Sequence, residues 1–277
     1  MLDTTMTYTN GAGESIEFAP GSAWGYGETD LRDWSWDYDE ACGRATGFRR
    51  APRDFTLHAV MRGGSTEERD RAYDVLEYDV RAGSPGTLRA GGSAMECYAV
   101  ECSKDLWWYD GGRMRMEVRF HADEPVWIRE RTVDFPKDSG AAYAGGGLDY
   151  PIAYPYDYKR EDRASRAENP FHSPCRFRLT VFGPAENPYV IIAGNRYQVN
   201  VSVPADGLLV IDSRAGTITL RDRGGAESSV FASGVRTEGA RIFAPIPGGV
   251  SALSWTGDFG FSVTYIEERS EPAWTPR

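Results

Sequence analysis

The sequence predicts a mainly β protein with one helix, and three observations carry that reading. Apolar residues recur at every second position in many short runs. Only one segment shows helical spacing behind a recognisable cap. Aromatics make up 13% of the chain and Gly numbers 31, a composition that suits pleated, half-buried surfaces and large interfaces.

Taken in order, Trp34-Ser35-Trp36-Asp37-Tyr38 alternates aromatic and polar and reads as an interior strand face. Phe55, Leu57, Ala59 and Met61 then alternate with Thr56, His58 and Val60. Ser65-Thr66-Glu67-Glu68 is a capping box with acids in the first turn. Ala72, Val75, Leu76 and Val80 follow on one helical face, and Gly83 and Pro85 end the helix. Arg113 to Phe120 sets four apolar residues against four charged ones in strict alternation, the pattern of a strand with one wet face. Later runs are Phe177/Leu179/Val181, Tyr197/Val199/Val201/Val203, Ile218/Leu220 and Phe259/Phe261/Val263/Tyr265. Short strands at intervals of about ten residues point to a sandwich or jelly roll. Leu253-Ser254-Trp255 is expected to place Trp255 in that sandwich core.

Residues 145–158 join glycines, prolines and tyrosines without any period, and a charged stretch follows to Glu168. This reads as an extended connector. The expected organisation is an N-terminal domain over 1–150, a Tyr/Pro-rich connector over 151–168, a β-sandwich over 169–267 and a tail over 268–277.

Charge and composition remove several function classes. A net charge of -10 and a pI near 4.9 argue against direct sequence-specific nucleic-acid binding. No apolar run reaches the roughly 18 residues a membrane span needs, and MLDTTMTYTN has no secretory pattern. Cys42, Cys97, Cys102 and Cys175 form no disulfide framework and are expected to be reduced. Cys97 and Cys102, five apart on one strand, are expected on opposite faces.

No catalytic constellation emerges. The three histidines, His58, His121 and His172, sit at unrelated spacings and make no zinc pattern. Gly224-Gly225 and Gly248-Gly249 read as hairpin turns rather than phosphate cradles. Paired carboxylates remain the one open enzymatic option, but Glu267 and Glu268 are adjacent on a strand and point apart. We expect no enzyme activity and no cofactor. A sugar platform is the alternative, with Arg196, Tyr197 and Asn200 as its candidate contacts.

Several runs carry a family resemblance in serial order. They are Tyr8-Thr9-Asn10-Gly11, the capped helix ending EYDVRAGSPGTL, DYPIAYPYDY, Phe177 to Pro184, Asn187 to Val190, Gly194 to Tyr197, Leu209 to Ser213, Ile242 to Gly249, and Glu268 to Trp274. Together they resemble the distal tail protein family of siphophages, the Dit or phage tail hub family. One departure is Ser228-Ser229-Val230-Phe231, where an Asn-x-Phe-like run is expected. The resemblance implies an N-terminal belt domain of β-sheet plus one helix that forms a hexameric ring, and a C-terminal galectin-like β-sandwich. It implies a structural hub at the virion tail tip, assembled in the bacterial host cytoplasm. The implied partners are further copies of the chain, the tail tube protein, a tail-associated protein, and receptor-binding or fibre proteins. The alternative under the same resemblance is a virion carbohydrate-binding module acting through the galectin-like domain.

Rings use head-to-tail interfaces rich in aromatics and Arg. Six of the eight tryptophans (24, 34, 36, 107, 108 and 127) lie in the N-terminal half. The expected interface residues are Trp34, Trp36, Trp107 and Trp108, together with Arg269, Glu271, Pro272 and Trp274 of the tail, which is expected to dock on another subunit or a neighbouring hub component.

Overall fold

The structure is a computed structural model that describes residues 5–63, 65–107, 113–137 and 163–273. It divides into two compact units. The first comprises Met1–Arg129 together with Glu268–Arg277, and the second is Glu130–Glu267. The expected border at residues 150–168 therefore moves. The chain leaves the first unit within one strand and returns to it within another, so no change of composition marks either crossing. The tyrosines of residues 150–158 lie outside the described residues.

The first unit is built from β1 (Met6–Thr9), β2 (Ser15–Phe18), β3 (Trp24–Thr29), β4 (Asp37–Ala41), β5 (Arg44–Arg49), β6 (Arg53–Arg62), α1 (Thr66–Ala82), β7 (Gly86–Ala90), β8 (Ser93–Trp107), β9 (Arg113–Ala122) and the start of β10 (Trp127–Phe135). Its main sheet runs β8-β7-β1-β2-β3-β6-β9, and β8 also pairs with β9, so seven strands close on themselves in a barrel-like sheet. The β6–β9 register explains why both alternations work. Phe55, Leu57, Ala59 and Met61 stand opposite Phe120, Val118, Met116 and Met114, while Asp54, Thr56 and His58 stand opposite His121, Arg119 and Glu117. From Phe55 to Met61 one face is therefore apolar, while on the other Asp54 meets His121 and His58 meets Glu117, with Val60 and Arg62 opposite Arg115 and Arg113.

Helix α1 begins as expected: Ser65 Oγ accepts from the Glu68 N–H at 3.3 Å. It ends on Gly83 in the left-handed conformation at φ 67°, where a residue without Cβ is least strained. Ala72, Val75 and Leu76 are buried, but the fourth buried position is Asp79, and Val80 is exposed. The helical phase of 72, 75 and 76 reaches 79 before 80. Asp79 is fully buried. Its carboxylate accepts from the Tyr8 hydroxyl at 2.6 Å and from the Gly11 N–H at 2.8 Å. Burial pushes the Tyr8 hydroxyl pKa far up, and the hydrogen bond to Asp79 adds to this. Gly86 opens β7 against the same group, where a Cβ would collide with Asp79 Oδ2 and the Tyr8 ring.

The second unit continues β10 and adds β11 (Arg163–Asn169), β12 (Arg176–Phe182), β13 (Ala185–Glu186), β14 (Tyr189–Ile192), β15 (Asn195–Gln198), β16 (Ser202–Val203), β17 (Leu208–Asp212), β18 (Thr217–Arg221), β19 (Glu227–Ser229), β20 (Arg236–Thr237), β21 (Ala240–Arg241), β22 (Gly249–Trp255) and β23 (Gly260–Arg269). One sheet orders β19-β18-β17-β12-β23-β10 and the other β11-β22-β14-β15. Phe177, Leu179, Val181, Phe261, Val263 and Tyr265 fill the space with Trp255, whose indole N–H donates to the Phe259 carbonyl at 3.2 Å. Strand β11 takes Arg163 to Glu168 out of the expected connector. The single strand expected over Tyr197 to Val203 is broken between β15 and β16. Gly248-Gly249 leads into β22 rather than turning a hairpin, with Gly248 close against the backbone of Phe171 and His172.

Glu268 to Ala273 returns to the first unit. Pro272 and Ala273 are buried. Arg32 donates to the Pro272 carbonyl at 2.8 Å, and Arg50 to Ser270 Oγ at 3.4 Å. Gly91 leaves no room for a Cβ beside the Ala273 carbonyl. Residues 270–273 of the tail expected to dock on another subunit or a neighbouring hub component are thus seated on their own chain.

Two outcomes follow. Tyr8→Phe removes one charge-directed hydrogen bond without changing volume, and should lower stability by about 2 kcal/mol in urea unfolding; a change inside experimental error would show that Asp79 does not need this donor. Deleting 268–277 should lower the melting temperature of the first unit by roughly 5 °C and spare the second. A calorimetric trace with both transitions at the temperatures of the full chain would detach the tail from the unit.

Candidate functional site

The segment between β3 and β6 leaves the barrel as an arm. Strands β4 and β5 pair with each other and with no other described strand. Every residue of both strands is exposed. Cys42 and Gly43 join them at φ 51° and 72°, the paired positive dihedrals of a tight hairpin turn. The arm is two-faced. On one face the Tyr38 and Phe48 rings lie 6.2 Å apart. On the other, Asp39 and Arg49 form an ion pair at 2.9 Å. At the root, the Arg50 guanidinium covers the Trp36 ring at 4.2 Å.

This placement overturns the interior-strand reading of Trp34 to Tyr38. Trp34 is 59% exposed, Tyr38 58% and Phe48 60%. A period of two reports that a strand has an apolar face; it does not say whether that face meets its own core. Trp36, at the root, is the least exposed of the arm's aromatics. Trp107 closes β8, while Trp108 and Trp274 lie outside the described residues. Arg269, Glu271 and Pro272 sit in the tail, and the two arginines that hold this tail, Arg32 and Arg50, flank the arm. The structure therefore brings the tail and the arm root together.

A second apolar surface lies between α1 and β8. Leu76, Ala99, Cys102 and Met116 line it, with Tyr73, Val80 and Val100 around it and Arg69, Glu77, Glu101 and Lys104 at its edges. Cys102 corrects another expectation. A β-bulge between Ala99 and Glu101 sets two residues of β8 against one of β9, which restores the phase and turns Cys102 toward the core that Cys97 also fills. Cys102 Sγ lies 3.8 Å from Met116 Sδ. All four cysteines are free, and burial pushes the Cys175 thiol up to about 11.

The proposed sugar contacts do not form one surface. Tyr197 is buried and its hydroxyl donates to the Ala244 carbonyl at 2.8 Å. Arg196, its neighbour on the strand, points the other way and covers the Tyr189 ring at 4.0 Å. Asn200 accepts from the Gln198 side chain. Two of the histidines pair with carboxylates on the strand surface. His58 faces Glu117 at 3.7 Å. His121 has its pKa raised by its hydrogen bond to Asp54, with Asp123 adding to the effect. Among the described residues no cluster of His, Cys, Asp and Glu could hold a metal ion, and no helix is long and apolar enough to cross a membrane.

No family model matches the chain, and no curated protein does. Solved structures do. The Dit protein of phage SPP1, described as a paradigm of hub adsorption apparatus in phages infecting Gram-positive bacteria, aligns over 96% of this chain and 98% of its own, with a TM-score of 0.57 and 11% identity. A chain of the phage P2 baseplate in its activated conformation with Ca aligns over 98% of this chain and 100% of its own, with a TM-score of 0.56 and 11% identity. The same baseplate with Sr gives a TM-score of 0.55 at 11% identity, over 98% of this chain and 99% of that one. Across both of its units, this chain has the fold of phage distal tail and baseplate hub proteins.

Proposed function

We propose that this protein is a structural hub of a siphophage tail tip, forming a ring that joins the tail tube to the tail-associated and receptor-binding proteins. The observation that carries the reading is the fold likeness over nearly the whole chain. A module borrowed for another purpose would match one unit, not both in series. The exposed arm supports it, because an unsupported two-stranded hairpin with aromatics on one face is marginal in water and fits a surface meant to be covered. The net charge of -10 suits a protein beside a DNA path to which the polyanion should not adhere. Of the three contacts named for the carbohydrate-binding reading, Tyr197 is buried, and no specific observation favours that reading.

The test is light scattering on the purified chain, with negative-stain images of the peak. Closed rings with a central hole, six-fold in the images, are the expected result. A chain that stays monomeric alone and when mixed with the tail-associated protein of the same virion would overturn the hub reading.

A further inference from the structure

The exposed large apolar residues of the first unit fall into two groups among the described residues. Trp34, Trp36, Tyr38 and Phe48 belong to the arm and its root, while Tyr73, Tyr78, Val80 and Val100 lie on α1 and β8. The first group projects on a hairpin that no other described strand pairs with. Of the second, Tyr73, Val80 and Val100 border a groove with an apolar floor and a charged edge, while Tyr78 lies outside it. A convex and a concave apolar patch on one unit are what a head-to-tail interface between identical chains requires, since each copy must offer both halves.

The geometry points to a specific junction, which rests on the ring reading above: the Tyr38–Phe48 face of one copy's arm seats in the α1–β8 groove of a second copy. Charge favours this occupant. Glu40 and Arg44 flank the arm's turn, and the groove edge offers Arg69 and Lys104 together with Glu77 and Glu101. Both surfaces are thus mixed in sign and can pair in register, whereas a partner of one charge would meet repulsion on either side. The aromatic pair on the arm also supplies the rigid anchors that dominate such interfaces. The tail acts as a strap here. Arg32 and Arg50 stand on the two sides of the arm's base, and both bond to the 270–272 segment. The strap therefore fixes the direction in which the arm leaves the barrel, and closure of a ring depends on that angle.

The experiment uses two full-length variants. One carries Tyr38→Ser and Phe48→Ser in the arm; the other carries Val80→Glu and Val100→Glu at the groove. All four positions are exposed, and circular dichroism melts confirm that both variants fold. Each alone should lose the rings and run as a monomer. Mixed in equal amounts they should form a dimer and nothing larger, because one good groove meets one good arm and the remaining pair is dead. Rings in either variant alone, or a mixture without dimer, overturn the junction while wild-type rings leave the hub reading standing. Absence of wild-type rings strikes the hub reading itself, and the junction with it.

Discussion

The buried carboxylate of Asp79 is the constraint on which the N-terminal unit depends. A charge taken fully out of water must be met by donors, and here two come from residues far away in sequence, the Tyr8 hydroxyl and the Gly11 N–H. Their positions tie the last turns of α1 to the end of β1 and the turn after it. Gly86 completes the arrangement by leaving space where any side chain would strike the pair. The helix is thereby held in one rotation and one height against the barrel. That rotation turns Ala72 and Leu76 inward and leaves Tyr73 and Val80 outside, so the same carboxylate that orders the core also shapes the groove.

Much of the fold was legible because it rests on local periodicity. The alternation at Phe55 to Met61 and at Arg113 to Phe120 gave strands β6 and β9 directly, and Ser65 and Gly83 marked the helix at both ends. What was not legible depends on the parity of one residue or on contacts distant in sequence. The bulge after Ala99 reverses the facing of Cys102 without any glycine to announce it. Asp79 rather than Val80 takes the buried position, because helical phase decides the facing and the polarity of Asp79 conceals it in the sequence. The border between units was missed because β10 and β23 run through it unbroken. For the candidate site, the aromatics at 34, 36 and 38 were visible, but their exposure was not, since the pattern of a strand on an arm is that of a strand in a core. Trp108 and Trp274 lie outside the described residues, and Tyr197 is turned into the core by the alternation of its own strand.

The two units manage apolar surface differently. In the second, facing sheets enclose Phe177, Phe261, Tyr265 and Trp255, and large exposed apolar side chains are scattered at Phe182, Phe231 and Val250. Phe231 is already covered on one side by the Arg236 guanidinium at 4.2 Å. Isolated exposures of this kind are ordinary. The first unit gathers its exposed aromatics and valines into patches, which costs solubility unless something covers them. Under the proposed hub function, this contrast would assign self-association to the first unit and leave the sandwich for other contacts.

The discontinuity of the N-terminal unit sets an order in time. A ribosome finishes β9 and then makes all of Glu130–Glu267 before Ser270 and Pro272 emerge. Until they do, Arg32 and Arg50 lack the partners that fix the base of the arm. Chains growing side by side on one message thus carry an unfastened arm throughout synthesis, at the moment when their local concentration is highest. Under the proposed hub function, the strap would delay competence for assembly until both units have been translated.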